Sequence, residues 1–100
     1  MAEVRCKRVM FFSRGDEESF FSWAEGVPHV KAVRGVLDEI VLELHAGPVP
    51  DESLRELIAL LHRYGISMPQ LAAFETRENS AWFNNPESFW HSSVFGATHG

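Results

Sequence analysis

A chain of 100 residues that is 45% hydrophobic, with eight Phe and three Trp, is expected to fold as one domain around its own core. Its net charge of −5 excludes the basic footprint of a nucleic-acid binder, and no apolar run reaches the eighteen or so residues of a membrane span. A single cysteine, Cys6, excludes an internal disulfide framework.

The opening "MAEVRCKRVMFF" places charges inside what would have to be the apolar centre of a signal peptide, so the expected location is cytoplasmic. Residues 3–12 predict a first strand. Val4, Cys6, Met10 and Phe12 share one parity while Val9 and Phe11 take the other, the pattern of a central strand buried on both faces. "SRGD" makes a turn, and Asp16, Glu17 and Glu18 supply the acidic first turn of a helix over 16–26. Phe20, Phe21, Trp23, Ala24 and Val27 give that helix an apolar face, and Gly26 with Pro28 ends it.

Strands are expected over 29–36 and 39–45, joined by a link short enough for a hairpin. In the later strand Ile40, Leu42 and Leu44 alternate with Val41, Glu43 and His45, which predicts one solvated face. Residues 51–64 carry the clearest helical stripe, Leu54, Leu57, Ile58 and Leu61, with Gly65 where a terminating glycine belongs. Short helices are expected over 67–75, 77–84 and 86–94. They start at Ser67 with Pro69 in the first turn, at Thr76, and at Asn85-Pro86; the tail, 96–100, is expected to be mobile. An edge strand is the other reading of 66–74, since Pro69 is tolerated at an edge, but Gln70 and the Ala-Ala pair favour helix.

The expected architecture is therefore a small α+β domain, β-α-β-β-α with a C-terminal helical extension. Strands one and two run parallel through a right-handed crossover, strands two and three antiparallel, and both long helices lie on one face. This order matches the first five elements of the ferredoxin-like βαββαβ plan and leaves its sixth element missing or replaced; that plan hosts too many activities to imply one.

Candidate chemistry is sparse. Arg14-Gly15-Asp16 spells an adhesion tripeptide, but a turn followed by a helix start explains it. Cys6 lies between Arg5 and Lys7, whose side chains point to the opposite face of a strand, so a core thiol is expected. The histidines His29, His45, His62, His91 and His99 show no metal-ligand spacing, and no cofactor or metal is expected. Glu43 and His45 share a strand face and read as its polar outer surface. Asp51, Glu52 and Glu56 suit a helix start, and His62 and Arg63 suit a helix end, so no catalytic residue is assigned.

The aromatic tail "SAWFNNPESFWHSSVFG" is the remaining feature. Burying its rings contributes several kcal/mol, roughly 1.5–3 kcal/mol each, so it is expected to close the open sheet face or the gap between the helices. The leading functional expectation is a non-enzymatic domain acting through protein contacts, self-association included. The competing one is a small-molecule-binding protein or minor enzyme. Its pocket would be lined by His62, Tyr64, Trp82, Trp90 and His91, which combine apolar bodies with polar tips.

Overall fold

A computed structural model describes residues 2–96. The last four residues of the expected mobile tail, 97–100, lie outside the described residues. Strand β1 spans Glu3–Lys7, with Val4 and Cys6 buried and Arg5 and Lys7 exposed. It is shorter than the expected 3–12 and lies at the sheet edge, not at its centre. The cause is local: Arg8 takes a positive φ of 56°, which turns the chain out of the sheet. Beyond that turn Val9 and Phe11 pack against the core, while Met10 and Phe12 remain 66% and 85% exposed.

Helix α1, Arg14–Gly26, begins two residues before the expected start. Ser13 caps it by accepting from the Asp16 N–H at 3.1 Å, and Asp16 Oδ2 accepts in turn from the Phe12 N–H at 3.0 Å. This reciprocal pair satisfies two backbone donors and holds Arg14-Gly15-Asp16 inside a helical turn. Phe20 and Ala24 point from α1 into the core.

Strands β2 (Val30–Val36) and β3 (Glu39–Leu44) form a hairpin, and β3 also pairs antiparallel with β1, giving the order β1-β3-β2. Both outer strands run opposite to β3 and hence parallel to each other, so α1 crosses over the central strand in a split β-α-β unit. The registers Val4↔Leu42 and Val33↔Leu42 place the inward row of each strand on the same side. Helix α2, Asp51–Arg63, buries Leu54, Leu57, Ile58, Leu60 and Leu61 against that row and against Phe20. Its end is a Schellman turn: Gly65 sits at φ +67°, Ile66 N–H donates to Leu61 O at 2.9 Å, and Gly65 N–H to His62 O at 3.4 Å. The fold is a three-stranded antiparallel sheet with helices, an α+β domain as expected.

After α2 the chain is helical, not an edge strand, but in the tighter 3-10 form over Pro69–Phe74. The next helices are α3, Ser80–Phe83, and α4, His91–Phe95, shorter than the expected 77–84 and 86–94. Side chains shape both starts, in different ways. Thr76 N–H donates to Asn79 Oδ1 at 2.8 Å while Asn79 N–H donates to Thr76 Oγ1 at 3.1 Å, a capping box that makes Thr76 the cap as expected, and Ser80 N–H follows with a helical bond to the Thr76 carbonyl at 3.0 Å. Asn85 Oδ1 accepts from the Glu87 N–H at 3.0 Å in an Asx turn, and the helix forms only from His91.

The tail does close the core, but from the flank of α2. Phe83 and Val94 are buried in the same cluster as Leu57, Leu61 and Leu71. The outer sheet face is left to charge: Arg5 pairs with Glu3 at 3.2 Å and Glu39 at 3.1 Å, and Arg34 pairs with Glu43. Val41 lies on that face between Arg5 and Arg34 and is nevertheless fully buried. Aliphatic stems of the flanking arginines can cover it while their heads stay in water, so this face needs no aromatic lid.

Candidate functional site

Side chains from α1, α2 and the two flanking loops meet around Arg63, the last residue of α2. On one side a cleft of about 440 Å³ lies between Trp23, Ala59, His62, Arg63 and Phe89. On the other a cleft of about 260 Å³ lies between Met10, Phe12, Asp16, Arg63 and Tyr64. Arg63 is the wall they share. The surroundings are stiff: Trp23 Nε1–H donates to Glu56 Oε1 at 2.7 Å, tying α1 to α2. Tyr64 OH donates to the Asp16 carbonyl at 3.4 Å, and its ring packs edge-on against Phe20 at 5.0 Å. Desolvation, with the nearby Asp16 charge, pushes the Tyr64 phenol above its ordinary value. Arg63 itself makes no ion pair among the described residues.

Met10, Phe12 and Phe89, with exposures of 66%, 85% and 60%, border these clefts. They are three of the four large apolar side chains left exposed among the described residues; the fourth is Leu37. Met, aromatic and Arg side chains around a central cation match the composition of interface centres.

The five residues singled out from sequence do not share one cavity. His62 contacts Phe89 with ring centroids 4.8 Å apart, and a chain of edge contacts runs on through Trp90 to Trp82. Trp90 Nε1–H is spent on the Phe83 carbonyl at 2.8 Å. Trp82 lies under the Arg55 guanidinium, 3.9 Å from its ring centre, and its own N–H has no partner among the described residues. His91 Nε2 is 2.8 Å from Asn84 Oδ1, with its ring against Phe95 at 5.3 Å. Tyr64 belongs to a separate cluster with Phe11 and Phe20. His62 and Tyr64 therefore border different sides of Arg63, while Trp82, Trp90 and His91 serve chiefly to pack the tail.

Met10, Phe12, Trp23 and Phe89 were not among the candidate site residues. Met10 and Phe12 looked like core positions because the alternation of β1 continues through them, and nothing in the residue types marks the turn at Arg8. Phe89 stood among rings that do pack inward, and Trp23 on the apolar face of α1.

Elsewhere the polar groups read structurally. Cys6 is buried, and desolvation pushes its thiol up to about 12, which removes the thiolate at neutral pH. Glu43 is paired with Arg34, while the His45 ring faces His29 at 5.9 Å. Among the described residues no three His, Cys, Asp or Glu side chains gather to hold a metal ion. No helix among the described residues is long and apolar enough to cross a membrane. Comparison with protein-family models, with curated proteins and with solved structures finds no match.

Proposed function

We propose that this domain works by protein–protein contact, self-association included, and docks other proteins through the surface around Arg63. One observation carries the reading: among the described residues, three of the four exposed large apolar side chains gather at two clefts divided by an arginine that makes no ion pair there. Scattered exposed apolar residues need no explanation, but clustered ones mark contact surfaces. The complementary partner offers an apolar side chain for the aromatic walls and a carboxylate for Arg63. Trp23–Glu56 and Tyr64–Asp16 bonds hold the surface in place before binding, which limits the entropy lost on docking.

The test combines proximity cross-linking from a photoreactive residue at Phe12 with Arg63→Glu and Phe89→Ser variants. The expected result is a discrete partner, or a second copy, whose cross-link disappears in both variants while circular dichroism is unchanged. Cross-links that persist in both variants, or none at any protein concentration, would overturn the reading.

A further inference from the structure

The antiparallel ladder of β2 and β3 runs one position beyond the strands, where the His45 N–H donates to the His29 carbonyl at 2.9 Å. Residues opposed across such a pair project from the same face, with Cβ atoms about 5 Å apart. His29 and His45 do so, and their ring centres lie 5.9 Å apart. The His29 N–H donates in turn to Ser53 Oγ of α2 at 3.3 Å, so the backbone that carries this ring is fixed from two elements.

The two rings differ in their surroundings. His45 is exposed, whereas His29 is only 9% exposed and its Nε2 is buried without a hydrogen-bond partner among the described residues. An unpaired polar atom in the interior is costly, and each one asks for a reason, of which ion binding is one. The spacing points the same way. An imidazole nitrogen lies about 2.0 Å from a bound zinc ion and about 1.1 Å from its own ring centre. Two imidazoles sharing one ion therefore have ring centres about 5 Å apart at a tetrahedral angle and about 6 Å apart on a line. The separation here falls inside that span.

We propose that His29 and His45 chelate a divalent metal ion of the imidazole-preferring class (zinc, nickel or copper) where β2 begins and β3 ends. Neutral imidazole is a favoured ligand for these ions, whereas magnesium and calcium require oxygen donors. The carboxylate two residues back on the same strand face, Glu43, pairs with Arg34, so water completes the coordination. Exposure of His45 gives the ion its path from solvent. Bound there, the ion cross-links the start of β2 to the end of β3, an arrangement only the folded chain offers, so binding stabilises the fold. The pair stands at the Ser53 end of α2, whereas Arg63 ends that helix, and it does not depend on the docking reading.

Isothermal titration and thermal unfolding of the full chain with Zn2+ test this, with Mg2+ as the control ion. One equivalent of Zn2+ is expected to bind and to raise the thermal midpoint, and Mg2+ to do neither. His45→Ala, at an exposed position, should keep the fold and weaken Zn2+ binding by about tenfold or more. His62→Gln and His91→Gln should leave the affinity unchanged, and the shift of each variant is measured from its own metal-free midpoint. Nitrogen-15 spectra of the parent chain should show Zn2+ moving the ring resonances of His29 and His45 together, which tests the buried ring without substituting it. Absence of saturable binding up to millimolar Zn2+ overturns the proposal. So does binding that His45→Ala leaves unchanged, which would place the ion on other residues.

Discussion

Gln70 does with one side chain what a fourth strand would do with its backbone: its amide makes both hydrogen bonds of a ladder position with Arg5. Its Nε2 also donates to the Ser67 carbonyl at 2.8 Å, which anchors the 3-10 helix to the sheet edge. Gln70→Ala removes this link and leaves the Arg5 N–H and carbonyl facing water. A loss of about 1–2 kcal/mol is expected, measured by urea denaturation, because the freed groups are solvated and not stranded. Gln70→Glu keeps the acceptor but sets a carboxylate oxygen against the Arg5 and Ser67 carbonyls, so its midpoint should fall no higher than that of Gln70→Ala. Equal stability of all three proteins would show that the link is incidental.

The substitution of a side chain for a strand also marks how far the sequence could be read. The stripe of α2 and the alternation of β3 were legible because each repeats one period over several residues. Element order predicts β1 parallel to β2 and β2 antiparallel to β3, as found, but not that β3 lies between the other two. By contrast, the end of β1 depends on a single backbone angle at Arg8, a residue type that does not announce a left-handed turn. The proposed docking surface was hidden for the same reason, since Met10 and Phe12 lie beyond that turn. Phe83 of the tail closes the core as expected, yet composition alone does not separate buried Phe83 from exposed Phe89.

Cys6 provides a sensitive probe of opening. With its thiol pushed up to about 12, the thiolate fraction near neutral pH falls about a thousandfold below that of an ordinary cysteine. Alkylation by iodoacetamide at about pH 8 is therefore expected to be limited by unfolding, and to accelerate steeply through the urea transition. Rapid labelling of the native protein would place Cys6 outside the core.

Glu75 ties the 3-10 helix to α3 by accepting from Ser80 Oγ at 2.7 Å and Asn84 Nδ2 at 3.0 Å. These bonds favour the charged form and hold its pKa below the ordinary 4.5. A depressed carboxylate stabilises the fold above its unfolded value, and that contribution is lost as pH falls through the folded value. Thermal midpoints measured from about pH 6 down to pH 3 should therefore fall less in Glu75→Gln than in the parent chain. Parallel curves would show that the network does not discriminate between the two protonation states.

The tail supplies the last test of what closes the core. Phe83 is fully buried, with its ring 5.0 Å from Phe95 and 5.6 Å from Trp82. Phe83→Ala is expected to cost about 3–5 kcal/mol, the range for a large aromatic removed from a packed interior. Set against a net stability of about 5–15 kcal/mol, that single change takes a large share. A chain ending at Glu75 loses Phe83, Val94, Trp82 and Trp90 together and should no longer unfold cooperatively, whether followed by heat or by urea. Phe89→Ala serves as the contrast: at 60% exposure its loss should change stability by no more than about 0.5 kcal/mol. If the truncated chain melted as sharply as the parent, the rings would be an accessory to a core already complete. If Phe89→Ala cost as much as Phe83→Ala, Phe89 would be a packing residue and the proposed docking surface around Arg63 would lose one of its walls.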